Sequence, residues 1–250
     1  MMNRQHGFSL IELMIALVLG LMVGGAVLQV FVMNNKSIVF QRASIITQDQ
    51  GRVALDMMAR YIRMAGYQED NLSNAGLSNG IAGSTTGPSI TVRYQAGAST
   101  MSSQLFDCLG NAISDGATSS GAISVNQFRL ESDGGSMNNL VCQSTHSLDG
   151  DKGQGTLASN VEQMSILYGV DTDNDQAPNR YLNANAASTS MSSVVAIKIC
   201  LVIASDDNMI GGTSPAYTDC DGNSVTPSDQ RIRRKVGSTV SLRNRIGGSA

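Results

Sequence analysis

Glu12 is the residue whose position most strongly indicates chemistry. It lies one helical turn inside a run from Phe8 to Met33 that is apolar apart from Glu12 itself, Ser9 and Gln29. A carboxylate within an apolar membrane segment costs about 2.5–3.5 kcal/mol on insertion scales, so it marks a function by default and requires a cationic partner. We therefore predict charge pairing at Glu12; the alternative is a carboxylate that reaches solvent at the nearby helix end.

A second candidate site consists of three carboxylates at alternate positions, Asp171, Asp173 and Asp175. Ca²⁺ binds six to eight oxygen ligands, and carboxylates spaced in this way suit it. The segment departs from the EF-hand pattern, because Gln176 replaces the sixth-position glycine and Leu182 stands where a bidentate glutamate is expected. We interpret the segment as a solvated acidic turn, with calcium binding as the alternative.

Composition and motifs do not favour an enzyme. Beyond the apolar run His146 is the only histidine, and it lies in a stretch without the G-x-S-x-G pattern of a nucleophile elbow. Charged residues make up 15% of the chain, aromatic residues 4%, and the formal net charge is −3. This composition is typical of an exported β-rich domain with polar loops, and it does not favour nucleic acid as a ligand. We predict no catalytic centre and no cofactor apart from the calcium alternative.

Four cysteines lie beyond the apolar run: Cys108, Cys142, Cys200 and Cys220. An even number of cysteines outside the cytoplasm predicts two disulfides. Of the three possible connectivities we favour Cys108–Cys142 with Cys200–Cys220, because each closes a moderate loop within one subregion. The alternative, a zinc site, requires C-x-x-C spacing or more histidines.

The apolar run itself predicts a membrane helix. At ~1.5 Å per residue, roughly 26 residues cross a hydrocarbon core of ~30 Å with some tilt. A secretory signal peptide is the competing interpretation, but its apolar region is about 7–15 residues long and ends in an A-x-A cleavage site. Arg4, in the polar leader, favours a cytoplasmic amino terminus.

The segment Gly7-Phe8-Ser9-Leu10-Ile11-Glu12 resembles the class III signal of type IV prepilins and pseudopilins. The resemblance implies that a prepilin peptidase removes residues 1–7 by cutting between Gly7 and Phe8, and that Phe8 is then N-methylated. Cleavage creates an α-amino group with an ordinary pKa of about 8. This cation can pair with Glu12 of an adjacent subunit, so that two charges that are costly alone in lipid become tolerable together.

Helical periodicity continues beyond Met33. Apolar residues recur at helical spacings as far as Ala65, and Gly66 supplies a helix stop. The apolar series is Phe31, Ile38, Ile45, Val53, Met57, Ile62 and Ala65. We therefore predict one helix with a transmembrane half at 8–33 and an amphipathic periplasmic half at 34–66, whose apolar side packs on a sheet.

Residues 67–250 are predicted to form one β-rich periplasmic or extracellular domain. Residues 67–87 are rich in Asn, Gly and Ser and predict a loop. The strand candidates are 90–94, 123–125, 128–130, 140–142, 161–170 and 194–203. The best core strand has one inward face formed by Val195, Ile197, Ile199, Leu201 and Ile203. The predicted fold class is α+β, pilin-like, with the long helix packed on an antiparallel sheet.

Lys and Arg are concentrated near the end of the sequence, at Arg231, Arg233, Arg234, Lys235, Arg243 and Arg245. One interpretation is a basic face that binds the acidic loops of a neighbouring pilin or DNA phosphates. The other is that these charges protect an edge strand from pairing with another chain. We favour the edge-strand interpretation. No aromatic residues are interleaved for base stacking, so nucleic acid is not an expected direct ligand.

Several short motifs resemble the PilW family of type IV minor pilins, namely Gly51-Arg-Val-Ala-Leu55, Ile62-Arg-Met-Ala-Gly-Tyr67, Tyr168-Gly-Val-Asp171-Thr-Asp173 and Leu242-Arg-Asn-Arg245. The resemblance implies a structural subunit that primes pilus assembly at or near the fibre tip and supports twitching, adhesion or DNA uptake. Implied partners are other minor pilins, the major pilin, the prepilin peptidase and the inner-membrane assembly platform. Implied locations are the inner membrane and then the fibre. The alternative is a minor pseudopilin of a type II secretion system.

Overall fold

The computed structural model describes residues 7–68, 77, 80–96, 105–113, 122–135, 137–147, 150–206 and 214–244. Residues 1–6, with Arg4 and His6, and Arg245 lie outside the described residues. One long helix, α1 (Leu10–Met64), precedes all the strands, and a short helix α2 (Ala184–Ala187) continues into a 3₁₀ turn (Ser188–Ser193). The strands are β1 (Ile81–Gly83), β2 (Ser89–Ala96), β3 (Ala122–Ser132), β4 (Asn138–His146), β5 (Gly150–Val170), β6 (Arg180–Leu182), β7 (Val194–Ala204), β8 (Tyr217–Thr218), β9 (Ser224–Val225) and β10 (Arg233–Ser241).

Eight of these strands form one antiparallel sheet in the order β1-β2-β3-β4-β5-β7-β10, with β6 paired to the end of β5. Strands β8 and β9 form a separate two-stranded ribbon. The long strand β5 joins two parts of the sheet, because its first part pairs with β4 and its second part pairs with β7. The predicted α+β, pilin-like fold class is confirmed, while the predicted loop at 67–87 contains β1.

The first part of α1 has no buried residue. Among the described residues of this helix, the first buried side chain is Ala43, and the apolar side chains from Leu10 to Met33 are all exposed. A stretch of this hydropathy and length is sufficient to cross a membrane. About 33 helical residues therefore precede the packed part of the molecule, a length of roughly 50 Å.

The outer part of α1 packs on the sheet, but not through the predicted apolar series. Ile38, Ile45 and Val53 are exposed, and of that series Ile62 and Ala65 are buried. The face that contacts the sheet begins instead with small residues and consists of Ala43, Thr47, Gly51, Ala54, Leu55, Met58, Ala59, Tyr61 and Ile62. The predicted amphipathic helix is correct, whereas the predicted orientation of its outer half is wrong.

Gly51 shows why small residues are required on this face. A Cβ atom at this position would lie 2.7 Å from Val236 Cγ2 and 2.8 Å from Ile203 Cδ1. Distances this short mean that the helix backbone lies directly against side chains of β7 and β10. On the same side, the guanidinium of Arg234 donates to Ser44 Oγ on α1, with Nε at 3.0 Å, and ties β10 to the helix.

The helix ends where the sequence predicts. Its last residue is Met64, and Gly66 adopts a φ of +75°, a left-handed conformation that favours glycine. Gly66 N–H donates to the carbonyl of Arg93 on β2, and Asn244 Nδ2 donates to the carbonyl of Arg63 in the last turn. The helix end is therefore held by both ends of the sheet domain.

The core lies between this helix face and the sheet. The inward face predicted for 194–203 is confirmed, since Val195, Ile197, Ile199, Leu201 and Ile203 are all buried. Both predicted disulfides, Cys108–Cys142 and Cys200–Cys220, are present in the structure.

Candidate functional site

The segment before α1 presents the predicted cleavage site on non-helical backbone. Gly7, Phe8 and Ser9 precede the first helical residue, Leu10, and all are exposed. Nothing lies within 4 Å of the position that a Cβ atom would take at Gly7. Packing within the described residues therefore does not require glycine at position 7.

Glu12 lies in the first turn of α1, where the carbonyl of Ser9 accepts the Glu12 N–H at 3.1 Å and the Leu13 N–H at 3.2 Å. A carboxylate in the first turn interacts favourably with the helix dipole. The Glu12 side chain is exposed, and no cationic side chain of the described residues contacts it. The described part of this chain therefore supplies no counter-ion for Glu12.

The acidic turn brings its three carboxylates together. Oxygen atoms of Asp171, Asp173 and Asp175 all lie within 4.8 Å of one another, which is close enough to share a metal ion. Asp171 is buried, and the other two are exposed. The turn connects β5 to β6, so the sequence correctly indicated a turn between strands.

The oxygens of Asp171 are already used as acceptors within the turn. Its Oδ1 accepts the N–H groups of Asp173 at 3.2 Å and Asn174 at 2.7 Å, and its Oδ2 accepts that of Gln176 at 3.0 Å. Burial acts to raise the pKa of Asp171, but these backbone donors outweigh it and hold the pKa below its ordinary value. Asn174 and Gln176 have positive φ angles of 62° and 67°. The Asp171 carboxylate thus organises the turn, and calcium binding stays the untested alternative to a solvated acidic turn.

Asp107 and His146 form a buried hydrogen-bonded pair that was not predicted from the sequence. Asp107 Oδ2 lies 3.1 Å from His146 Nε2, and both side chains are fully buried. Asp107 Oδ1 also accepts the N–H groups of Leu109 at 3.0 Å and Asn111 at 2.7 Å. Burial opposes ionisation of Asp107, yet hydrogen bonds from Asn111 and Leu109 lower the pKa of this carboxyl below its ordinary value.

This pair stabilises the segment next to the first disulfide. The Tyr61 hydroxyl on α1 donates to the carbonyl of Asp107 at 2.5 Å, and Cys108 N–H donates to Asn126 Oδ1 at 2.9 Å. The arrangement therefore joins the end of α1, residues 105–113 and the strands beneath them. His146 is fully enclosed, so it contacts protein atoms and not the solvent from which a substrate would approach. Thirty-nine residues separate it from Asp107, and the sequence carries no local signal that links them.

Two family models match the chain. The model described as Type IV Pilus-assembly protein W matches residues 127–244, from within β3 to just beyond β10. The model described as the prokaryotic N-terminal methylation motif matches residues 2–28, which include Gly7, Phe8 and Glu12. The PilW match covers 118 of the 250 residues, and over this part the chain is similar to the PilW family.

A search of curated proteins gave no match. The PilW match and the methylation motif together support a minor pilin of the type IV pilus, and the PilW match points to a structural protein rather than an enzyme. The same two matches imply partnership with other pilins and with a prepilin peptidase. The apolar helix and the prepilin signal fit an inner-membrane anchor that later becomes part of a pilus.

Within the PilW match, the basic residues of β10 and the preceding loop are engaged inside the domain. Arg233, whose side chain is 7% exposed, binds the carboxylates of Glu162 and Asp229 at 2.7 Å each and lies 5.6 Å from the Tyr217 ring centroid. Lys235 Nζ donates to the carbonyl of Asp219 at 2.6 Å. Arg233 therefore serves the fold and is not part of a free basic face, whereas Lys235 is exposed and the basic-face alternative stays untested there.

Proposed function

We propose that this chain enters the fibre as a minor pilin through Glu12, and that it acts at or near the tip to prime assembly. The observation that carries the proposal is an exposed carboxylate in the first turn of a helix that extends about 33 residues beyond the packed domain, four residues after a processing signal. A soluble single-chain function would not place a lone carboxylate and a long apolar surface side by side.

The proposed mechanism follows from the charges. Cleavage between Gly7 and Phe8 would release the leader and leave a cationic α-amino group on Phe8. In the membrane, Glu12 of one subunit and this amino group of another are each costly to bury alone. Lateral packing of the apolar helix faces would bring them together, so that the pair offsets its own desolvation only in the assembled state. Association would therefore be selective for properly processed and aligned helices.

The processing step is tested by the intact mass of the protein purified from membranes. We expect a mass that corresponds to loss of residues 1–7 and addition of one methyl group at Phe8. Replacing Gly7 by Val adds a β-branched side chain at the cleavage site, where the fold itself leaves open space, and should leave the precursor uncut. Native protein that retains residues 1–7 within the fibre would contradict the proposal.

The role of Glu12 is tested by substitution. We expect Glu12→Ala protein to be processed and inserted into the membrane but to enter sheared fibres at no more than about one tenth of the wild-type level. The substitution leaves the α-amino group of Phe8 on the neighbouring subunit unpaired, and a free-energy cost of about 1.4 kcal/mol already changes the assembly equilibrium tenfold. Gln29→Ala is the matched control, since it removes another polar group from the same apolar run. Equal incorporation of Glu12→Ala and wild-type protein would refute the mechanism.

Tip position, twitching motility, adhesion and DNA uptake are part of the proposal and require a separate experiment. A strain that lacks this chain should assemble fewer fibres and twitch less, and immunogold labelling should place the chain at fibre ends. The PilW match favours a pilus over a type II secretion piston. Normal fibre number combined with loss of protein secretion would favour the pseudopilin alternative.

We also propose that the β-rich domain lies in the periplasm before assembly, docked to the inner-membrane assembly platform. The proposal is supported by Arg4 in the leader, which favours a cytoplasmic amino terminus, and by two disulfides, which persist in an oxidising compartment. Protease added to spheroplasts should digest the domain, whereas the same protease should spare a cytoplasmic control protein.

A further inference from the structure

One edge of β5 has no strand partner over residues 162–167. Strand β4 pairs with β5 as far as Val161, and β6 begins to pair with it at Tyr168. Between these points the opposite edge of β5 pairs with β7, and no described strand occupies the free edge. In an antiparallel ladder, alternate residues direct their N–H and C=O groups to opposite edges. About half of the main-chain groups of these six residues therefore face away from the sheet.

A cleft of about 370 Å³ lies along this free edge. Its walls are the turn between β1 and β2, residues 84–89, the β5 residues Met164, Ser165 and Ile166, and residues 183–185 at the start of α2. Successive side chains of a strand point to opposite faces of the sheet. A cleft that touches three successive residues of one strand therefore meets the strand at its edge, where the main chain is accessible.

Tyr168 provides a second observation at the same cleft. It lines the cleft and is fully buried, yet its hydroxyl has no hydrogen-bond partner among the described residues. Burial raises the pKa of Tyr168, so the hydroxyl keeps its proton and is a donor. Buried hydroxyl groups without partners are rare in folded proteins. The hydroxyl has no solvent-accessible surface and lies against Gly83, so an acceptor from a bound molecule would reach and satisfy it only when the β1–β2 hairpin shifts.

Three polar side chains of the walls are used already. Ser84 Oγ and Thr86 Oγ1 lie 3.0 Å apart within the turn, and Asn183 Oδ1 accepts the N–H of Ala186 at 2.9 Å as the cap of α2. None of the lining side chains is charged. An uncharged lining beside the free N–H and C=O groups of the β5 edge suits an uncharged polypeptide backbone.

We propose that this cleft accepts an extended, uncharged segment of another pilus subunit, which adds to the free edge of β5 as an extra strand. Six residues at ~3.4 Å each provide a ladder of about 20 Å. The inward-facing Met164 and Ile166 would contact alternate apolar side chains of that segment. This inference rests on the proposed function, because it takes the partner from the fibre.

The experiment is a binding assay with arrays of overlapping 12-residue peptides that cover the other pilin sequences of the same cell, probed with the full chain in detergent. We expect one contiguous group of peptides to bind. Single proline substitutions at alternate positions of those peptides should abolish binding, because proline has no N–H to donate to the β5 edge. A pocket that contacts only the side chains of the peptide would not show this alternating sensitivity to proline.

Variants locate the binding to the cleft. Tyr168→Phe should weaken peptide binding about three- to tenfold without lowering the melting temperature, because its hydroxyl has no partner to lose. Tyr94→Phe is the matched control: its hydroxyl donates to the carbonyl of Phe106 at 2.7 Å, so this change should lower the melting temperature and leave peptide affinity unchanged. Thr85→Arg, at an exposed position of the wall, should also weaken binding.

The inference is overturned if no peptide binds, or if neither proline substitution in the peptide nor Tyr168→Phe changes the affinity. It is also overturned if neutral oligosaccharides bind in a manner that depends on Tyr168. These outcomes are separable from failure of the proposed function, since processing of the leader and entry of the chain into fibres are measured independently.

Discussion

At the scale of single residues, Gly51 sets how closely α1 approaches the sheet. Gly51→Ala should destabilise the domain by about 1–2 kcal/mol, because the overlap with Val236 and Ile203 costs more than the roughly 1 kcal/mol that alanine gains in a helix. Thermal unfolding of the full chain in detergent measures the change. Gly25→Ala is the control, since nothing lies within 4 Å of that position.

The Gly51 prediction has an internal check. Val236→Ala removes one of the two side chains that the new methyl group would meet, so the double variant Gly51→Ala, Val236→Ala should be more stable than the sum of the two single changes predicts. Strict additivity would mean that the close approach of helix and β10 is not the cause.

The contact between Arg233 and Asp229 should make the free energy of unfolding depend on pH below about 4. Hydrogen bonds from Arg233 are the main reason why the pKa of Asp229 falls to about 2, below the ordinary value of about 3.9. A lowered folded-state pKa contributes stability above pH ~4, and this contribution is lost as the pH falls towards 2. Asp107, Asp171 and Asp219, whose pKa values are also lowered, should act in the same direction.

We therefore predict that Arg233→Lys destabilises the protein by about 1–3 kcal/mol at pH 7, because an ammonium cannot reproduce the paired guanidinium contacts to Glu162 and Asp229. The difference from wild type should shrink as the pH is lowered from 4 to 2. Chemical denaturation across this range measures both effects, and the exposed Arg243 gives the control variant Arg243→Lys. A difference that is constant with pH would contradict the assignment.

At the scale of elements, α1 has two apolar faces in its outer half, and only one of them packs on its own sheet. Ile45 is 66% exposed, whereas Met58 is fully buried. Ile45→Ser should change the free energy of unfolding by less than about 0.5 kcal/mol, and Met58→Ala should lower it by about 2–5 kcal/mol.

The fibre provides the other readout for this pair of variants. If the exposed face packs on neighbouring helices in the pilus, Ile45→Ser should reduce incorporation into fibres although its melting temperature is unchanged. Wild-type incorporation of Ile45→Ser would show that this face stays exposed after assembly.

The same helix shows what the sequence can and cannot predict. Its length, its end at Gly66 and its exposed charges follow from hydropathy, glycine chemistry and periodicity. The side that contacts the sheet does not, because large aliphatic residues such as Ile38 and Ile45 look like core residues whether they pack on their own domain or on another molecule. The contact with β10 instead selects small residues such as Ala43 and Gly51, and small residues carry little hydrophobic signal.

The candidate sites divide in the same way. Gly7, Phe8 and Glu12 are adjacent in sequence, so their relation could be predicted from spacing alone. The two disulfides close local loops and were also predictable. The Asp107–His146 pair and the free edge of β5 arise from tertiary pairing between distant segments, for which a single sequence contains no signal.

At the scale of the whole molecule, the two disulfides fix the loops that cover the sheet. They span 34 and 20 residues of sequence, for which loop entropy predicts about 3–4 kcal/mol of stabilisation each. Replacing Cys200 and Cys220 together by alanine should therefore lower the free energy of unfolding by roughly this amount. Reductant should lower the stability of the wild type by the contributions of both disulfides. It should lower the stability of the double variant only by the contribution of Cys108–Cys142. Equal stability of reduced and oxidised wild type would contradict the prediction.

The division of the chain into an exposed helix and a packed domain makes a last prediction. Because no described residue of α1 before Ala43 is buried, a protein that begins at Asn34 should keep the complete core. Its melting temperature should lie within about 2 °C of that of the full chain, since changes away from buried contacts alter stability by about 0.5 kcal/mol or less.

A protein that begins at Asp56 lacks five buried helix residues, from Ala43 to Leu55, and should fail to fold. Both lack Glu12 and the apolar run, so neither should enter membranes or fibres. If the protein that begins at Asn34 melts far below the full chain, the helix contributes to the domain in a way that the buried contacts do not explain.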